Sequence, residues 1–305
     1  MNPLRSATLV VSDAAAAAHR YVHWLDHVLI ETGQVDAGLA ASWGTPASTG
    51  RRYTVVRPAS GRQVDLRFIE GDAVPAFRPL RSFGWAAIEL CVQDVHATHA
   101  RVQGSPFEII GPPSANPSLP SIHPMQVRGP DGEIAYLTQV LQGGPGSGLP
   151  EARSAVDVLF IAVLGCADMQ ASAQWFAEQL GLKIAPPMDI PYRMINKAFD
   201  LPPTQLHRIT TADHETDICL EFDQYPDGAV PRPQLEGQLP PGMAICSLLH
   251  ADLDAIPGPW LTPPRVLDGA VYEGRRVGVL RSPEGALVEV IEQQQQNQQQ
   301  QEASA

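Results

Sequence analysis

The sequence predicts an α+β fold of tandem βαβββ modules, forming two domains with curved mixed β-sheets and helices on their outer faces. Three observations predict it. The chain repeats itself at a period of about 155 residues, so that Arg128-Gly-Pro-Asp-Gly-Glu-Ile-Ala-Tyr136-Leu and Arg281-Ser-Pro-Glu-Gly-Ala-Leu-Val-Glu289-Val hold corresponding places. Val64-Asp-Leu-Arg67-Phe and Ile218-Cys-Leu-Glu221-Phe form a second matching pair. Their separations agree, since Arg67 to Tyr136 is 69 residues and Glu221 to Glu289 is 68. Within each half, the order strand, helix, several strands occurs twice.

The elements follow in order. Ala7-Thr-Leu-Val-Val-Ser-Asp13 reads as a strand whose closing Asp caps a helix over 14 to 25, with Tyr21, Trp24, Leu25 and Val28 at core spacing. Ala87-Ile-Glu-Leu-Cys-Val-Gln-Asp94 repeats the strand-then-Asp signal. Val158-Leu-Phe-Ile-Ala-Val opens the third unit, where Asp168 precedes a helix carrying Trp175, Phe176 and Leu180, with Gly181 as its C-terminal cap. Met243-Ala-Ile-Cys-Ser-Leu-Leu-His250-Ala-Asp252 opens the fourth. Pro-Asp-Gly and Pro-Glu-Gly turns join the last two strands of each half. Residues 1–141 are expected to form one domain and 155–292 a second. Residues 142–154, rich in Gly and Pro, read as the linker, and the Gln-rich 293–305 as a disordered tail.

Composition excludes several function classes. A net charge of −12 argues against nucleic acid or an anionic membrane as partner, because both require clustered Lys and Arg. The four cysteines (Cys91, Cys166, Cys219 and Cys246) lie in apolar runs without a C-x-x-C pair, which favours buried thiols in a reducing, cytoplasmic setting. No apolar run approaches the ~20 residues that span a bilayer. Phosphate-binding loops, a G-x-S-x-G elbow and a Cys–His nucleophile pair are all missing from the sequence.

Asp168-Met-Gln-Ala-Ser-Ala-Gln-Trp-Phe-Ala-Glu-Gln-Leu-Gly-Leu resembles the first helix of the vicinal oxygen chelate superfamily (glyoxalase I, bleomycin-resistance proteins, extradiol dioxygenases). Ser-Pro-Glu-Gly-Ala-Leu-Val-Glu289 resembles its last hairpin, and the resemblance runs from about residue 4 to 292. It implies a cavity in each domain and a divalent metal held by first-strand and last-strand side chains. That metal would act as a Lewis acid on neighbouring substrate oxygens. In the second half, Glu221 and Glu289 match last-strand positions, while the first-strand positions fall at Val158 and Ile245. The first half offers Ser6, Arg67, Ala87 and Tyr136. The usual donor set is therefore incomplete, and the resemblance allows Fe, Mn, Zn or Ni, or no metal.

Three readings of Glu221 and Glu289 stay open. They hold a metal with His207, His214 or His250; they face each other in one pocket as acid and base; or they are remnants paired with Arg or Lys. His207, Arg208, Arg193 and Tyr136 are the expected substrate-binding groups, and His250 doubles as a strand-end cap. Glu89 shares the face of Ala87 and is placed to meet Arg67 and Tyr136. His19, His23 and His27 recur at helical spacing, but the helix ends before the third. The leading expectation is a glyoxalase- or dioxygenase-like enzyme, a lyase, isomerase or dioxygenase, acting on a polar carbonyl, carboxylate or phenolic metabolite in the second-domain cavity. The alternative is a metal-free protein that sequesters its ligand in the bleomycin-resistance manner. A scaffold using the Pro-rich loops at 112–124 and 226–241 is a third. The expected partner is a small molecule, and a homodimer is compatible with the resemblance.

Overall fold

The computed structural model describes residues 2–115 and 117–294, and the Gln-rich run from 295 onward lies outside them. The first unit comprises β1 (Leu4–Val11), α1 (Ala14–Trp24), β2 (His27–Gln34), α2 (Ala37–Ser42), β3 (Arg52–Pro58) and β4 (Asp65–Glu70). The second has β5 (Gly84–Val92), α3 (Val95–Val102), β6 (Glu108–Gly111), β7 (Ile122–Arg128) and β8 (Ile134–Val140). The third holds β9 (Val156–Cys166), α4 (Met169–Leu180), β10 (Lys183–Ile184), β11 (Met188–Pro191), α5 (Arg193–Ala198), β12 (Leu206–His214) and β13 (Asp217–Gln224). The fourth has β14 (Gly242–His250), β15 (Thr262–Leu267), β16 (Arg275–Arg281) and β17 (Leu287–Glu292).

Each unit turns from its first strand at an aspartate. Asp13, Asp94 and Asp168 accept hydrogen bonds from the backbone N–H groups of Ala16, Ala97 and Ala171, satisfying donors that have no partner inside the helix. Gly181 ends α4 at φ 65°, as expected of a left-handed cap. The fourth unit departs from the pattern. Asp252 caps only a single 3-10 turn, Leu253–Ala255, because Pro257 and Pro259 follow and cannot supply helical N–H donors. Val28 also departs from its expected place: α1 stops at Trp24, and Val28 is exposed on β2.

The sheets do not follow the two halves of the chain. One sheet runs β15-β16-β17-β14-β1-β4-β3-β2, joining the fourth unit to the first through antiparallel β14 and β1. The other runs β10-β12-β13-β9-β5-β8-β7-β6, joining the third unit to the second through antiparallel β9 and β5. Segments 1–141 and 155–292 thus contribute one unit to each sheet. Glu289, on β17, and Glu221, on β13, consequently lie in different sheets, and the expectation that they face each other in one pocket is corrected.

Strand alternation gives each sheet two apolar faces. One face of both sheets, together with α1, α3 and α4, forms a single large core containing Tyr21, Phe68, Trp85, Phe176 and Phe222. The opposite face of the β1/β14 sheet carries a separate cluster around Trp43 and Tyr272, and that of the β5/β9 sheet another around Tyr136 and Tyr225. These two faces are the hollows in which a site can form. Among the described residues no helix is long and apolar enough to cross a membrane.

Candidate functional site

Pairing between the first and last strands of each unit identifies the side chains at the floor of each hollow. In the β1/β14 sheet, Thr8 pairs with Arg67 and Ser247 with Glu289. In the β5/β9 sheet, Glu89 pairs with Tyr136 and Val163 with Glu221. Thr8, Glu89, Val163 and Ser247 replace the expected first-strand positions Ser6, Ala87, Val158 and Ile245. Three of these corrections are shifts of two residues along the same face. The fourth is odd, because register shifts between β5 and β9 alter the alternation. A signal for the true positions was present in the sequence: each stands five residues before the aspartate that caps its unit, namely Asp13, Asp94, Asp168 or Asp252.

The first hollow is filled. Trp43, at the end of α2, is fully buried and donates its indole N–H to Glu289 Oε1 at 2.6 Å. Tyr272 donates to the same oxygen at 2.5 Å, and Ser247 donates to Oε2. The Arg67 guanidinium lies 3.2 Å from Glu289 Oε2, bonds Thr8 Oγ1 at 3.0 Å, and stacks 4.9 Å from the Trp43 ring. Burial alone would depress the Arg67 pKa, but the neighbouring Tyr272 and Glu289 raise it above its ordinary value. Glu289 is thus a buried counter-ion with both oxygens engaged. A guanidinium occupies the place where the resemblance would put a cation.

The second hollow is open. A cavity of 490 Å³ reaches the floor residues Glu89, Tyr136 and Glu221, and its walls are largely apolar, with Pro112, Leu119, Ile122, Ile190, Met194 and Leu206 among them. Tyr192, just before α5, corresponds to Trp43 in the first hollow. Its hydroxyl donates to Glu221 Oε1 at 2.9 Å and lies 3.0 Å from the Tyr136 hydroxyl. Thr138 donates to Glu89 Oε1 at 2.6 Å. Asp223, two residues beyond Glu221 on the same face, is buried beside them. Here the loop between β6 and β7 supplies no aromatic plug equivalent to Tyr272, so the space stays free.

Three carboxyls under an apolar roof cannot all ionise cheaply. Burial, and next the charge of Glu221, raises Glu89 to about 8. Burial also raises Glu221, although its hydrogen bonds to Asp223 and Tyr192 pull the other way. Asp223 is pushed well above the usual carboxylate range by burial and then by Glu221. Burial likewise holds the Tyr136 and Tyr192 phenols well above their ordinary value, so both remain protonated donors. All three carboxyls are thus raised, and Glu221 is the one whose hydrogen bonds oppose the effect of burial.

The remaining expected site residues are scattered. Arg193 reaches the cavity rim and bonds Ser114 Oγ at 2.6 Å. His207 is buried on β12 with Nε2 2.6 Å from Asn196 Oδ1, and burial lowers its pKa. Arg208 pairs on the surface with Asp189 at 3.0 Å. His250, at the end of β14, accepts the backbone N–H of Asp252 at 3.2 Å and serves the turn. His19 and His23 are exposed and stacked on α1, whereas His27 is buried on β2.

A metal finds no matching donor set at either floor. The first floor offers Thr8, Ser247 and a Glu289 already paired with Arg67. The second offers Glu89, Glu221 and the neighbouring Asp223 with a phenol and the apolar Val163. Among the described residues no three His, Cys, Asp or Glu side chains are grouped to hold an ion. Sequence reasoning missed Tyr192, Trp43 and Tyr272, which lie on loops outside the repeating strands. It placed Glu89 with Tyr136, beside which it lies, and with Arg67, which belongs to the other sheet.

No family model and no curated protein matches the sequence. Solved structures do match the fold. Glyoxalase I from Zea mays aligns with a TM-score of 0.62 at 14% identity, covering 95% of this chain and 92% of its own. A point mutant of the same maize enzyme aligns at 0.63 and 15% identity over the same shares. A Bacillus subtilis protein provisionally assigned as a dioxygenase aligns at 0.63 and 12% identity, covering 96% of this chain and 86% of its own.

Proposed function

We propose that this chain, which has the fold of the glyoxalase and dioxygenase superfamily, is a small-molecule enzyme whose chemistry is proton transfer in the Glu89–Glu221 cavity. The observation that carries the reading is the pair of carboxyls on the cavity floor, with unequal surroundings and each in contact with a hydroxyl. Glu221, hydrogen-bonded by Tyr192, is the base. Glu89, held protonated near neutrality, is the acid. A substrate with an apolar body and a carbonyl, carboxylate or phenolic oxygen would place its body against the proline-rich wall and its oxygen near Tyr136 and Tyr192. Glu221 would then remove a proton from the neighbouring carbon while Glu89 protonates the developing oxyanion. Arg193 at the rim would attract an anionic substituent. In this reading Glu289 takes no part in the chemistry and, with Arg67, supports the closed hollow.

The test is solvent hydrogen exchange. A panel of α-hydroxy ketones, 2-oxo acids and phenols is incubated with the protein in D₂O and followed by NMR. Carbon-bound exchange should appear for at least one compound, and Glu221→Gln should reduce it by about 10²-fold or more. The rate should fall as pH rises through about 8, where Glu89 loses its proton, and Glu89→Gln should remove that dependence. Binding without exchange would favour the sequestering alternative, which the apolar wall over an acidic floor also suits. Exchange unaltered in Glu221→Gln would overturn the assignment of the base.

A further inference from the structure

A second cavity, of 550 Å³, lies where the two sheets meet, with none of the acidic-floor residues among its lining. Its walls come from β1, β9, the end of β14 and the 142–154 segment. They combine an apolar surface (Leu4, Leu159, Phe160) with four arginines: Arg5, Arg62, Arg153 and Arg275. Such a concentration is unusual in a chain with 21 Lys and Arg and a net charge of −12.

Among the described residues three of the arginines are tied to neighbouring groups, and the Arg153 guanidinium is not. Arg5 is buried, and its terminal nitrogens bond Asp65 at 2.7 Å, Gln63 O at 2.8 Å and Ala270 O at 2.6 Å, leaving only its Nε without a partner. Asp65 is shared, since Arg57 also binds it, at 2.8 Å. Arg62 bonds the Glu151 backbone oxygen at 3.0 Å and approaches Asp157 to 3.6 Å, while the Asp157 oxygens accept from Ser60 and from the backbone N–H of Arg153. The Arg153 guanidinium is exposed, and among the described residues no hydrogen bond or ion pair engages it. Arg275 is held by Glu273 at 3.0 Å and by the backbone oxygens of Tyr272 and Val271, and burial, then the charge of Arg5, lowers its pKa. The Arg153 guanidinium and the buried Arg5 Nε thus remain as donors beside the apolar wall. Glu151 and Asp217 also border the space, which limits a ligand to a compact anionic head.

We propose that this cavity is a second ligand site, one that takes an organic anion with an apolar body and a carboxylate head. Guanidinium groups bind carboxylates by paired, charge-assisted hydrogen bonds, and Leu4, Leu159 and Phe160 accommodate the body. Because the walls come from both sheets, the ligand bridges them. The site is independent of the chemistry at Glu89 and Glu221.

Calorimetric titration of the full chain with phenylbutyrate, phenylbutanol and phenylbutylamine tests the proposal. Phenylbutyrate should bind about tenfold tighter than the alcohol and tighter still than the amine. The Arg62→Gln/Arg153→Gln variant, altered at partly exposed positions, should lose about tenfold in affinity for phenylbutyrate and little for the alcohol. Glu221→Gln should bind phenylbutyrate as the unaltered protein does. Absence of phenylbutyrate binding at millimolar concentration, equal binding of the three probes, unchanged affinity in the arginine variant, or loss of binding in Glu221→Gln would each overturn it. The three-probe comparison on the unaltered protein stands even if the arginine variant does not fold.

Discussion

Glu289 and Glu221 occupy matching places on their strands and live under opposite conditions. Glu289 faces a guanidinium, two ring donors and a serine; Glu221 faces a cavity, a tyrosine and two further carboxyls. Removing only the cation from the first arrangement strands a buried charge. Arg67→Met should therefore cost about 3–5 kcal/mol in urea unfolding, whereas Arg67→Met/Glu289→Met should cost much less. Equal losses in both variants would show that packing around Trp43, not charge, dominates. At this scale the sequence disclosed the last-strand residues, because the Pro-x-Gly turns beside them align unambiguously. It misplaced the first-strand residues, which have no turn beside them and are reached through irregular registers.

The aspartate that closes each opening strand is a recurring element signal. Its energetic weight should follow the length of helix it caps. Asp168→Ala, at the head of the twelve-residue α4, is expected to lower stability by about 1 kcal/mol. Asp252→Ala, which frees only a 3-10 turn, should cost less. Denaturant midpoints of the two variants measure the difference, and equal costs would contradict it. Helices α1 and α4 were legible because their apolar spacing and caps agree. The short α2 and α5 were not. Each is six residues long and is held by what it packs against, so local sequence carries little trace of it. These two elements nonetheless decide the fate of the hollows, since one delivers Trp43 and the other follows Tyr192.

Across the whole molecule, the duplication was plain in the sequence, but the way its parts combine was not. Repeat matching identifies similar units and is silent on which unit pairs with which. That choice is made by β1 against β14 and β5 against β9, contacts between residues far apart in the chain. Residues 1–141 and 155–292 produced separately would each expose two long strands stripped of their neighbours. Each should aggregate or self-associate, and co-expression should restore a one-to-one complex detectable by size-exclusion chromatography. Monomeric halves that unfold cooperatively would refute this. The plugged hollow has a consequence for how such a chain can diversify. With Trp43 and Tyr272 anchoring one sheet, and both sheets sharing one core, the loop between β6 and β7 is released from structural duty. Its length and composition can drift, changing which molecules the open hollow admits, while the rest of the protein stays as it is.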